Sequence, residues 1–156
     1  MDNGILSRAK ALMTICFCAS LSSPVVNAQI WEPDGVRIPG DWNSWANTHN
    51  MGGDFDLMKT TDGLDRWTTT FECTESTGSV NFKIVSGGSG GEWTNQWACK
   101  PTFTLNAINS VDYCGTSNNT ASLTQNNHYT VIFKDNGYAT TSVCLMETSA
   151  SPVAIS

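Results

Sequence analysis

The sequence is poor in charge and poorest in base: charged residues make up 14% of its 156, with 8 Lys and Arg against 14 Asp and Glu and a formal net charge of −6. A phosphate backbone demands clustered Lys and Arg, and the chain has no such cluster, which excludes nucleic acid as a partner. The two histidines, His49 and His128, accompany no Cys-x-x-Cys pair and stand in no His-Glu-x-x-His or nucleophile pattern. No metal, no cofactor and no catalytic constellation is expected. Fourteen acids always allow a carboxylate pair, so their presence gives glycoside hydrolysis no support. Asp54, Asp56, Asp62 and Asp65 could be imagined around calcium, but their spacing does not match an EF-hand loop.

Long apolar runs are also missing, with one exception at the N-terminus. Arg8 and Lys10 precede an apolar stretch from Ala11 to Leu21, and Val26-Asn27-Ala28 supplies small residues where a signal peptidase reads. Spanning a bilayer takes about 20 consecutive apolar residues, and Ser20, Ser22, Ser23 and Pro24 break this run. The expectation is a signal peptide over residues 1–28, a secreted or cell-surface protein, and no membrane span after cleavage. Cleavage removes two basic residues and one acidic residue and takes Cys16 and Cys18 away with the signal.

Four cysteines remain: Cys73, Cys99, Cys114 and Cys144. In an exported domain an even number reads as two disulfides, with three connectivities that the sequence does not separate. Chain proximity favours Cys99 with Cys114 and leaves Cys73 with Cys144.

Downstream of residue 28 no stretch shows helical apolar spacing, whereas short runs alternate with period two between clusters of Gly, Asn, Asp and Ser. Strands are predicted over 36–39, 55–59, 66–73, 80–85, 102–105, 122–123, 129–133 and 140–146. Trp67, Phe71 and Cys73 share the inward face of the clearest one. Seven or eight short strands with frequent turns predict an immunoglobulin-like antiparallel β-sandwich over residues 29–147. Residues 148–156 have linker composition, and a further module C-terminal to Ser156 is an expectation.

Tryptophan is abundant. Six occur, at positions 31, 42, 45, 67, 93 and 97. Trp67 reads as core, but Trp42, Trp45, Trp93 and Trp97 fall in Gly- and Asn-rich surroundings that read as loop, where an indole is harder to explain by packing. A sugar ring offers an apolar C–H face and a rim of hydroxyls, so it is recognised by an aromatic plate together with amide or ammonium donors. Gly40-Asp-Trp-Asn-Ser-Trp45 and Gly91-Glu-Trp-Thr-Asn-Gln-Trp97 each combine two indoles with amides, and Lys83 leads from its strand toward the second segment. The ligand-binding candidates are therefore Trp42, Trp45, Lys83, Trp93 and Trp97.

The order Pro39-Gly-Asp-Trp-Asn-Ser-Trp45, Asn81-Phe-Lys-Ile-Val85, Gly91-Glu-Trp93 and Gly115-Thr-Ser-Asn-Asn119 resembles the starch- and glycogen-binding carbohydrate-binding modules, including the glycogen-binding domain of AMP-activated kinase β-subunits. It is also similar to the starch-binding modules of bacterial outer-membrane polysaccharide systems. The resemblance implies stacking of glucose on Trp45 and Trp93, hydroxyl bonding by Lys83 and a donor at Asn118. It points to a non-catalytic module for a polysaccharide, an α-glucan such as starch or glycogen. The rival reading is a structural or adhesive cell-surface β-sandwich with no sugar ligand.

Overall fold

The computed structural model describes residues 29–30, 35–48, 55–87 and 93–148. The signal segment, Trp31, His49, Asp54, the Gly-rich tip at 88–91 and the tail from 149 onward lie outside the described residues. Among the described residues ten strands follow one another: β1 (Val36–Arg37), β2 (Asp56–Lys59), β3 (Arg66–Glu72), β4 (Gly78–Phe82), β5 (Ile84–Ser86), β6 (Asn95–Ala98), β7 (Ile108–Tyr113), β8 (Asn119–Leu123), β9 (His128–Lys134) and β10 (Thr141–Thr148). Their ladders are all antiparallel. A 3-10 turn, Asp41–Asn43, lies between β1 and β2.

The expected all-β, antiparallel architecture is present, but its topology differs from two open sheets of seven or eight strands. Eight strands close in the order β1-β2-β3-β9-β10-β7-β6-β5, with β5 returning to β1, while β4 and β8 pair separately. The divergence begins at Lys83. Its N–H bonds the Pro39 carbonyl at 2.9 Å, so the segment expected as one strand leaves β8 there and joins the ring.

Burial follows the strand period. β9 alternates, with Tyr129, Val131 and Phe133 inside, and β10 does the same with Val143 and Leu145. β7 inverts the usual pattern: Asn109 and Val111 face inward while Ile108 is 81% exposed. Asn109 is tolerated inside because its amide donates to the Thr104 and Ala107 carbonyls and its Oδ1 accepts the Thr104 N–H. The expected strand at 102–105 contributes only a single bridge, Phe103 with Ala121. Asp135 fastens the turn between β9 and β10, accepting the Gly137 N–H, the Trp67 indole N–H and the Ile30 N–H.

The four described cysteines are free thiols, and the expected pairing of Cys73 with Cys144 needs correction. Cys144 lies opposite Ile132, which lies opposite Thr68, so Cys144 is level with Thr68 and five residues along β3 from Cys73. That displacement is about 16 Å at 3.3 Å per residue, and a disulfide needs Cα atoms within about 7 Å. Cys73 is also buried, whereas Cys144 lies on the outer face with Ser142. For the other pair, the chain leaves the β6–β7 ladder after Ala98: the Cys99 N–H bonds the Ser117 carbonyl at 3.1 Å and the Cys99 sulfur stands 2.6 Å from where a Cβ on Gly115 would lie, so Cys99 sits beside the turn that carries Cys114, both as free thiols.

Two outcomes follow from these environments. Burial pushes the Cys73 and Cys144 thiols up, whereas Cys114 is exposed. Iodoacetamide at pH 8 should therefore label Cys114 first and Cys73 last by peptide mapping, and the reverse order would contradict this placement. Asp62 accepts from Arg66, Thr60 Oγ1 and the Leu64 N–H, which hold its carboxyl at about 2. A depressed folded value contributes stability above the ordinary carboxylate range that is lost as pH falls through about 2, and full exposure keeps the contribution small. Carboxyl NMR titration should find Asp62 still ionised at pH 3.

Candidate functional site

The segment Gly40-Asp-Trp-Asn-Ser-Trp45 divides its two indoles between core and surface. Trp42 is 4% exposed, packs against Phe71 and Phe82 with ring centroids at 4.6 and 5.1 Å, and donates its N–H to the Ile38 carbonyl at 2.9 Å. Trp42 is therefore a core residue, and its expected place among the ligand contacts is corrected. Its depth requires Gly40: a Cβ there would stand 2.7 Å from the Asn81 carbonyl oxygen and 2.9 Å from Phe82 Cβ.

From that anchor the chain turns back to the surface through two left-handed residues, Ser44 (φ 52°) and Trp45 (φ 62°). A bulky side chain pays strain in this region, and such strain persists only where the surroundings impose it. Here the Trp45 N–H bonds the Gly40 carbonyl at 2.9 Å, and the indole N–H donates to Asp41 Oδ1 at 2.9 Å. Asp41 is held in turn. Its Oδ2 accepts the Asn81 N–H at 2.7 Å and the Asn81 amide at 3.2 Å, and Asn81 Oδ1 accepts from Thr120. From behind, buried Arg37 donates its Nε to Asn47 Oδ1 at 2.8 Å, tying down the far side of the same loop.

Trp93 meets Trp45 across this surface. The ring centroids are 6.2 Å apart with planes inclined at 43°, Trp45 half-buried and Trp93 39% exposed. The two indoles thus form the walls of an open V. Lys83 stands beside Trp93 through Gln96: Lys83 Nζ donates to Gln96 Oε1 at 2.7 Å, and Gln96 Nε2 donates to the Trp93 carbonyl at 2.7 Å. Lys83 also donates to the Thr116 carbonyl at 3.3 Å. An ammonium has three N–H donors, so one remains for a hydroxyl. Asn118 is half-buried two residues beyond Thr116, while the side chain fixed in the core of this loop is its neighbour Asn119, bonded to the Trp97 carbonyl and the Lys100 N–H.

Trp97 does not belong to the platform. It is fully buried, packs on Phe133 and Tyr113, and donates to the Ala139 carbonyl at 2.8 Å, so it too is corrected from ligand contact to core. β6 passes through a segment read as loop, and its period sends Trp97 inward and Gln96 outward. Of the six expected contacts the structure brings together Trp45, Trp93 and Lys83, with Asn118 on the adjoining loop. Sequence reading missed Asp41 and Gln96, the two side chains that hold the plates. Their signal was sequence adjacency alone, one carboxylate and one amide within the two tryptophan motifs.

The fold resembles that of a starch-binding domain. A solved structure described as the ligand-induced structure of AmyP-SBD matches with a TM-score of 0.51 and 15% identity, covering 94% of this chain and 93% of that one. No protein-family model matches the sequence. No curated protein matches it either.

Gly40 tests the construction of the site. Gly40→Ala should cost about 1–3 kcal/mol in chemical denaturation, the usual penalty of overpacking, and should change the Trp45 environment seen by fluorescence. Unaltered stability would mean that the close approach of residue 40 to β4 is not required.

Proposed function

We propose that the domain is a non-catalytic polysaccharide-binding module of a secreted protein, suited to an α-glucan such as starch or glycogen. The observation that carries this reading is the Trp45–Trp93 pair, two indoles 6.2 Å apart and inclined at 43°, with the Lys83 ammonium linked through Gln96 to the Trp93 backbone. Aromatic plates take the C–H faces of pyranose rings, and the free ammonium donor takes a hydroxyl. The inclination favours a chain that curves. An α-1,4-glucan turns its successive rings around a helical path and can lay two of them on the walls of a V. A flat β-1,4-glucan ribbon calls for plates lying in one plane. The resemblance in fold to a starch-binding domain supports the same ligand class.

An exposed site of two rings and few donors gives weak binding, with a Kd in roughly the micromolar to millimolar range. The purified domain should be retained on insoluble starch and retarded by glycogen in affinity electrophoresis, with less retention on cellulose, chitin or xylan. Trp45→Ala and Trp93→Ala should each weaken binding by about 1–3 kcal/mol with little change in Tm. Trp42→Ala and Trp97→Ala should instead cost about 3–5 kcal/mol of stability. No retention on any glycan would return the domain to the structural or adhesive reading.

A further inference from the structure

The outer face of the sheet formed by β2, β3, β9, β10 and β7 is organised in rows by its register. One row runs Met58–Thr68–Ile132–Cys144–Ile108 across all five strands. Met58 is 55% and Ile108 81% exposed, a concentration of apolar surface on strands whose outer positions would otherwise be polar. The next row along the strands is Thr70–Thr130–Met146. Flanking these two rows lie Arg66 and Lys134 on one side and Glu72 and His128 on the other. Where the cationic row meets the apolar row, a shallow hollow of about 270 Å³ is lined by Arg66, Lys134, Ser142, Ile132, Cys144 and Ile108.

We propose that this face joins two copies of the chain in a symmetric dimer. Consider a two-fold axis lying in the plane of contact, perpendicular to the strands and midway between the two central rows. It lays the apolar row of one copy on the Thr70–Thr130–Met146 row of the other, and it lays Arg66 and Lys134 on the partner rows of Glu72 and His128. Arg66 and Glu72 stand equally far from that axis on the same strand, so each falls on the other in the partner while Lys134 falls on His128, and the doubled Arg66–Glu72 pairing makes the face complementary to itself, as an isologous interface requires. Met146 then meets the rim of the hollow beside Cys144. Sheets packed face to face stand about 10 Å apart, a spacing these side chains fill. Arg66 keeps its contact with Asp62, an exposed pair of little energetic weight. Trp45, Trp93, Lys83 and Gln96 belong to none of these rows, so the dimer leaves both indole platforms open and doubles the valency toward a polymeric ligand.

Sedimentation velocity on the whole mature protein over a range of concentrations should show reversible dimerisation. Arg66→Glu and Glu72→Arg should each weaken it at least tenfold, and the double variant should recover wild-type association within about threefold, because the swap restores the pairing. In the wild-type protein the one-row offset over the sheet spacing sets the two Cys144 Cα atoms about 12 Å apart, with the sulfurs pointing toward each other and closer still. A bis-maleimide of that reach should therefore give a Cys144–Cys144 link on peptide mapping. A monomer at every concentration, association indifferent to both reversals, or a dimer without the Cys144 link would overturn the proposal.

Discussion

The indole of Trp42 lies tilted against Phe71 and Phe82 and donates its one N–H to Ile38. This packing fixes the height and direction of the loop that follows. A fully buried aromatic with its donor satisfied is worth several kcal/mol and leaves no freedom to slide. The next three residues must then return to the surface within one turn, which is why Ser44 and Trp45 adopt left-handed backbone. The exposed plate is presented by leverage from the buried one.

Polar side chains turn this placement into a defined geometry. Asp41 accepts from the Trp45 indole with one oxygen and from Asn81 with the other, so the orientation of the first plate is tied to β4 and, through Thr120, to β8. Gln96 does the corresponding work on the other side by bonding Lys83 and the Trp93 carbonyl together. Hydrogen bonds to a charged group are the stronger kind, and a carboxylate or ammonium engaged in advance loses little further freedom when a ligand arrives. Strand connectivity makes both relays possible. The break at Lys83 lets one continuous segment serve β8 on its first half and the barrel on its second.

Several elements were readable from the chain. The periods of β3, β9 and β10 were clear because their inward positions are large and apolar, and Trp67 was correctly assigned to the core on that basis. β7 was not readable. It points Asn109 inward and Ile108 outward, and only the backbone partners around Thr104 make the buried amide acceptable. β6 was hidden by its polar composition, since Asn95 and Gln96 earn their places through Tyr113 and Lys83, which are distant in sequence. The pairing of Cys73 with Cys144 failed because elimination along the chain says nothing about which sheet face a cysteine occupies.

The sequence by itself determined the all-β class and the aromatic and amide composition of the two tryptophan segments, because these depend on residue type and on local period. The tertiary structure alone decided which indoles are plates and which are core. Trp42 and Trp45 share one motif, as do Trp93 and Trp97, and local propensity does not distinguish the members of either pair. The distinction comes from what lies opposite each ring after folding: Phe71 and Phe82 for Trp42, Phe133 for Trp97, and for Trp45 and Trp93 each other and solvent. Burial is a property of the assembled neighbours, and those neighbours arrive from strands far away in the chain.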